Sequence, residues 1–405
     1  MSNFPVAPIG ELFSLGKRVV DPSSRPKSFF LHHSLPSFDE CGGPKEELGG
    51  EIDSQKFTLD RPCVLVSKLN PRISRVELVA SVRSDGSEVA STEYMVLIPK
   101  GDLSQRIHLP FYANLFGSAV FRSKLVAVAT GTTGSHTRVR PSEILKWLVV
   151  VPGLTGQRRV ASILENVAAA ERGIEKSIAK LRNVRRGALL ASMEPVVSEK
   201  PAAGWARVPL KDIVPSAEYG ISEALDGDAR GVPVLRMNNI QNARIDADEL
   251  RYCPVPVPSK LFLRRGDVLF NRTNSMEHIG KAAMWRDELP SATFASYLVR
   301  LIPDLQRVTP EYLVEWLMHP IVRQRVRSIS TVAVQQVNVN PTRLRELEID
   351  LPVDLAEQRR IVATLEACDE QIGREEEELN KLRELKQGLV DDLLSGRVTA
   401  SGMEA

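Results

Sequence analysis

The sequence predicts an α+β protein: two similar globular domains and two long helices that pair with each other as a coiled coil, built as an internal repeat. Three observations predict it. Two charged segments, Thr155–Leu190 and Ala356–Leu394, open alike, with Gln157-Arg158-Arg159-Val160 and Gln358-Arg359-Arg360-Ile361. Both carry apolar residues in one heptad register. Each is preceded by a matching lead: Val139-Arg140-Pro141-Ser142 up to Pro152, and Val339-Asn340-Pro341-Thr342 up to Pro352. The repeat recurs after about 200 residues, which marks a duplicated domain-plus-helix unit and not a short-period solenoid.

The helix seam is read from Leu164, Val167, Ile174, Ile178 and Leu181 in the first segment. In the second it is read from Leu365, Cys368, Ile372, Leu379, Leu382 and Leu389, with the series broken at Glu375 and Lys386. Most of the remaining helix surface is Lys, Arg, Glu and Asp. So narrow a stripe finds its simplest partner in the other helix. Helices of this length make rods of roughly 50–60 Å at about 1.5 Å per residue. The alternative is two solvated helices, each lying on its own domain.

The chain has 405 residues, 43% of them apolar, enough for two domains with cores of their own and a helical spine. The four cysteines, Cys41, Cys63, Cys253 and Cys368, have neither zinc-ligand spacing nor a dense disulfide pattern, which suits a reducing, cytoplasmic setting. The start, Met1-Ser2-Asn3-Phe4-Pro5, carries no signal-peptide pattern, and the apolar runs Phe111–Phe121 and Trp147–Leu154 are too short to span a bilayer. A net charge of +2 neither demands nor excludes nucleic acid, so that argument rests on local clusters.

Up to about Leu59 the first domain reads as loops over a small sheet, with His32 and His33 as surface or packing residues. Cys63–Ser67 reads as a buried strand by its β-branched content. It runs into Lys68-Leu69-Asn70-Pro71-Arg72-Ile73-Ser74-Arg75, a turn that gathers cations and an Asn suited to phosphate or base edges. A strand pair over Val89–Ile98 and a helix over Leu109–Phe121 follow. Then comes Thr130–Arg140, in which glycines allow close backbone approach while Ser135, His136, Arg138 and Arg140 supply donors. It lacks the Lys-Ser/Thr ending of a P-loop. No G-x-S-x-G elbow surrounds Ser135 and His136, which argues against a hydrolase.

In the second domain the strand Val232–Arg236 delivers Asn238 and Asn239. The strand Asp267–Phe270 delivers Arg272, Asn274 and Ser275. Pro310–Val326 is read as one amphipathic helix with Tyr312, Leu313, Trp316, Leu317, Ile321 and Val322 on a shared face. Gln336 and Asn338 stand where the first domain has its Gly-Ser-His-Arg loop. Arg pairs bidentately with guanine and Asn with adenine, so two such tips in corresponding places suit base readout. The residues read as DNA contacts are therefore Lys68, Asn70, Arg72, Arg75, Ser135, His136, Arg138 and Arg140 in one half. In the other they are Arg236, Asn238, Asn239, Arg272, Asn274, Ser275, Gln336 and Asn338.

These residues bring the chain to a family. It resembles the specificity (S) subunit of type I restriction-modification systems through Ser67–Arg72, Gly131–His136, Gly266–Phe270 and the Gln-Arg-Arg helices. The helix opening Glu357-Gln358-Arg359-Arg360-Ile361, with Leu385-Lys386-Gln387-Gly388-Leu389, carries the likeness furthest. The first helix departs from it, with Gly156 in the place of Glu357 and Arg186 in the place of Gln387. The resemblance implies target recognition domains at 1–152 and 196–353, a central helix at 153–195, a C-terminal helix at 354–396 and a tail at 397–405. It also implies that a long antiparallel two-helix coiled coil separates the two domains as a pseudo-twofold internal repeat, and that each domain reads part of a bipartite double-stranded DNA target, with the helices setting the spacer. The implied partners are two methyltransferase (M) subunits and the restriction (R) subunits, with no membrane.

Such a subunit has no catalysis, cofactor or metal of its own; S-adenosylmethionine, ATP and Mg2+ would serve other subunits. In agreement, the chain contains no Asn/Asp-Pro-Pro-Tyr/Phe methyltransferase motif, no P-loop and no clear nuclease signature. A type IIB-like DNA-specificity subunit and a coiled-coil scaffold that binds no DNA remain as alternatives.

Overall fold

The computed structural model describes residues 5–101, 106–131, 137–198, 200–333 and 336–395. The chain divides into two compact units, Met1–Glu175 with Glu377–Ala405, and Lys176–Glu376. Each long helix is thus shared: Leu154–Ser192 and Leu355–Ser395 each give one part to either unit.

In the first unit a four-stranded antiparallel sheet runs in the order Phe13–Leu15, Tyr94–Pro99, Cys63–Ser67, Val76–Val79. All five residues of Cys63–Ser67 are buried, as its run of β-branched and apolar side chains requires of a strand covered on both faces. The helices Leu109–Gly117 and Ala119–Val128 close one face. There Phe13, Phe111, Tyr112, Phe116, Phe121 and Trp147 meet largely edge to face.

The stretch before Leu59 is more ordered than its loop-like composition suggests. It supplies four strands of a five-stranded sheet, Val19–Val20, Lys56–Thr58, Glu88–Ser91, Phe29–His33 and Lys45–Leu48, with one parallel pair inside it. It also holds a short helix, Leu35–Cys41. Ser34 and Ser37 cap that helix reciprocally, and Gly42 ends it at φ 77°, a conformation that Gly adopts at no steric cost. His32 and His33 are buried here, against Glu47 and against Glu77 and Glu88.

The second unit repeats the plan. Its sheet runs Ser216–Tyr219, Leu298–Ile302, Val268–Asn271, Ala282–Met284, corresponding strand for strand to the first. The helix read over Pro310–Val326 is in fact two, Pro310–Met318 and Pro320–Ser328. Pro320 has no N–H to donate and holds His319 in an extended conformation, so the chain turns there and starts a fresh helix. The face foreseen for it still points inward, with Tyr312, Leu313, Trp316, Leu317 and Val322 all buried.

Within each unit the long helices lie antiparallel. In the first, Glu171 pairs with Lys386 at 2.5 Å and Glu175 with Arg383 at 2.6 Å. In the second, Arg182 pairs with Glu376 and Arg185 with Asp369, both at 2.6 Å. Beneath these ion pairs Leu164, Ile178, Leu365, Ile372 and Leu379 are buried, while Val167, Ile174, Leu181, Cys368, Leu382 and Leu389 are half-buried.

One buried side chain anchors the start of each helix in the same way. Gln157 accepts the His108 N–H and donates to the carbonyls of Arg106 and Pro152. Gln358 accepts the Thr309 N–H and donates to those of Arg307 and Pro352. Because both glutamines are wholly inaccessible, these bonds satisfy backbone groups that water cannot reach. Among the described residues no helix is long and apolar enough to cross a membrane.

Candidate nucleic-acid interface

Each unit builds one tip where its most buried strand runs out. In the first unit, Ser67 bonds across to Leu69 through its hydroxyl, and Asn70 adopts the left-handed conformation at φ 47° that lets the chain reverse before Pro71. The segment around Arg138 is stitched to it. The Asn70 N–H donates to the Thr137 carbonyl at 2.8 Å, and the Val139 N–H to that of Lys68 at 2.9 Å. Thr130 and Arg138 exchange backbone bonds at 3.0 and 2.8 Å. Lys68 and Asn70 are thereby held half-buried, with Arg72, Arg138 and Arg140 exposed around them. Arg138 is tethered by Glu93 at 2.8 Å. Ser135 and His136 lie outside the described residues.

In the second unit the same scaffold carries different side chains. The Arg272 N–H donates to the Tyr297 carbonyl, as that of Lys68 does to Glu93, and the Val339 N–H donates to the Arg272 carbonyl at 2.8 Å. Around Arg272 the strands Thr273–Asn274, Gln336–Asn338 and Thr331–Ala333 form a small sheet. Thr273 donates its hydroxyl to Asn338 at 2.6 Å. Ser275 and Gln336 are exposed, and Arg272, Asn274 and Asn338 are half-buried. The structure therefore brings together, in each unit, two segments far apart in sequence that both carry candidate DNA contacts.

Not every candidate sits on these tips. Arg75 is buried and grips Asp39 through two bonds of 2.7 Å, fastening the sheet to the short helix Leu35–Cys41. That pairing holds the Asp39 carboxyl below its usual range. Arg236, Asn238 and Asn239 lie on a separate turn, Met237–Asn239. Asn239 is buried, accepting the Arg236 N–H and donating to the Asp246 and Glu249 carbonyls, so its polar groups are spent on that turn. Arg236 reaches the Glu249 carbonyl, while Asn238 is exposed.

Three residues flanking the tips were not foreseen. Glu93 tethers Arg138, Tyr219 lies under the Arg272 guanidinium at 5.1 Å, and Tyr297 is 45% exposed beside it. Only strand register reveals them, since none belongs to a motif. Among the described residues no cluster of three or more His, Cys, Asp or Glu is placed to hold a metal ion. What the tips offer is a fixed backbone with donors and acceptors at its edge, the arrangement that reads base edges and phosphates.

Comparison with known proteins meets this geometry. Residues 203–384 match the family model for the type I restriction modification DNA specificity domain. A putative type I restriction enzyme MjaX specificity subunit from Methanocaldococcus jannaschii is 30% identical over 194 residues, covering 47% of this chain and 45% of that protein. The type I restriction enzyme StySPI specificity subunit of Salmonella potsdam is 25% identical over 209 residues, 49% of this chain and 44% of that protein. The chain thus spans about half the length of the curated relatives it matches.

Solved structures match over nearly the whole chain and show the fold. One comes from work on complex assembly and conformational transition of the type I R-M system, with TM-score 0.66, 21% identity and 98% coverage of both chains. Another is the S subunit of a type I restriction-modification system from M. genitalium, with TM-score 0.54, 14% identity and coverage of 97% and 96%. The sheet order, the paired tips and the family match converge. Over residues 203–384, this chain is similar to type I restriction modification DNA specificity domains.

Proposed function

We propose that this chain is the DNA-sequence-reading subunit of a type I restriction-modification complex, with each unit reading one part of a bipartite duplex target. The observation that carries the reading is the pair of tips. One backbone frame presents Lys68, Arg72 and Arg138 in the first unit, and Arg272, Asn274 and Asn338 in the second. A shared frame with different donors is what two readers of different sequences require, since backbone bonds fix position and side chains at base edges fix choice.

On this reading the chain performs no chemistry itself. Two methyltransferase subunits and the restriction subunits dock on it in the cytoplasm, and S-adenosylmethionine, ATP and Mg2+ act on those subunits. Val184 in one unit and Leu385 in the other support protein docking. They occupy corresponding places on the two long helices, as Gln157 and Gln358 do, and are 51% and 57% exposed.

The test is methylome sequencing of cells that express this chain with its methyltransferase. A methylated motif in two parts, absent when the chain is omitted, is expected. Methylation that does not depend on the chain, or a single uninterrupted motif, overturns the proposal.

A further inference from the structure

The second tip contains an aromatic side chain whose place in the fold gives it a definable task. Arg272 has a long, flexible stem and would ordinarily sample many rotamers. Here its guanidinium carbon stands 5.1 Å over the Tyr219 ring, its Nε points to the Val339 carbonyl at 3.5 Å and its Nη1 to that of Ser296 at 3.4 Å. Among the described residues Nη2 has no protein acceptor. The ring and the two carbonyls hold the stem side of the fork, leaving the Nη edge for an acceptor pair outside the protein.

Tyr219 is fixed independently of Arg272. It closes the strand Ser216–Tyr219, where it pairs with Val299 in the centre of the sheet. In the first unit the strand Phe13–Leu15 takes the same place, and its continuation brings Lys17, an exposed cation, to the position of Tyr219. There, among the described residues, Lys68, the counterpart of Arg272, makes no cation–ring contact, and the nearby carboxylate of Glu93 holds Arg138. The two tips thus differ in how the central cation is held, not only in what it is.

We infer that Tyr219 is a positioning residue for base choice in the second unit: its ring holds Arg272 so that the Nη edge meets a purine acceptor pair of guanine type. This rests on the DNA-reading role proposed above. A cation over a half-exposed aromatic ring is a modest interaction, so losing the ring should lower discrimination at the base pair read by Arg272 by roughly two- to fivefold. The phosphate contacts and the other base contacts remain, so the salt dependence of binding should stay as it was.

The experiment measures binding of the full chain, with its methyltransferase partner, to the cognate duplex and to duplexes substituted singly at each position. Proteins carrying Tyr219→Leu, Tyr219→Phe, Arg272→Ala and the Tyr219→Leu/Arg272→Ala pair are compared with the original. Tyr219→Leu should lose discrimination at the base pair that Arg272→Ala also affects, add nothing in the Arg272→Ala background, and be rescued by Tyr219→Phe. The inference is overturned if Arg272→Ala relaxes one position while Tyr219→Leu relaxes none, or relaxes it equally in both backgrounds.

If Arg272→Ala changes no position, the base-reading role of Arg272 falls, and the inference with it. A readout without DNA separates the two failures. In the free protein the Arg272 Hδ protons should show an upfield ring-current shift in the NMR spectrum that Tyr219→Leu removes. Its absence overturns the positioning role whatever the binding data.

Discussion

The buried glutamines give the sharpest stability prediction. Replacing Gln358 by Leu keeps most of the volume but removes an acceptor from the Thr309 N–H and a donor from the Arg307 and Pro352 carbonyls, three bonds of 2.9 Å each. The residue is wholly inaccessible, so water does not take over those partners. Each unsatisfied buried group costs about 1–3 kcal/mol, and counting all three at the low end gives a loss of about 3 kcal/mol. For a unit of this size about 1 kcal/mol moves the melting temperature by roughly 2–4 °C, so a fall of about 6–12 °C is expected.

Gln157→Leu should cost the same within a factor of two, because its three bonds of 2.8–3.0 Å bind corresponding groups. Scanning calorimetry at fixed pH measures both. A loss below about 1 kcal/mol in either variant would mean that the freed groups find partners elsewhere and that the glutamine is not their necessary anchor.

Two further perturbations test the buried charges. Arg185 bonds Asp369 at 2.6 and 3.0 Å and Glu315 at 2.7 Å, and burial pushes the Glu315 carboxyl above its usual range. Arg185→Met should therefore destabilise by about 3–5 kcal/mol at neutral pH, less in acid where the stranded carboxyl is protonated; a deficit in calorimetry that grows on acidification would contradict this. His33 is bonded to Glu77 at 2.8 Å and Glu88 at 3.1 Å. Burial opposes its charge, but the two carboxylates outweigh that and raise its pKa above 6.5. A raised pKa contributes stability that is complete below the unfolded value and is lost as pH rises through the folded one. The stability gap between the original protein and His33→Gln should accordingly be widest in mild acid and narrow as the pH rises above 6.5 in chemical unfolding, and a constant gap would refute the charge assignment.

What the sequence makes legible is whatever repeats or alternates. The buried strands Cys63–Ser67 and Val268–Asn271 announce themselves by composition, and the helix pair by its register. The tips follow because each strand runs directly into its polar turn. Partnerships across long chain separations are what sequence conceals. Arg75 reads like its neighbour Arg72, yet Asp39, 36 positions earlier, draws it inward. Asn239 is consumed by carbonyls seven and ten positions on. Tyr219 and Arg272 meet only because their strands flank Leu298–Ile302 on either side. The break at His319–Pro320 was, by contrast, available locally, since a proline inside a helical pattern ends the helix before it.

If two corresponding tips read two different parts of one target, a substitution in either should disturb only its own part. The direct measurement compares the base preferences of Lys68→Ala and Arg272→Ala across all single substitutions of a bipartite duplex. Each variant is expected to lose about 1–3 kcal/mol of discrimination at one position, with the two positions in different halves of the target. Relaxation in the same half, or an equal loss on every sequence, would contradict it.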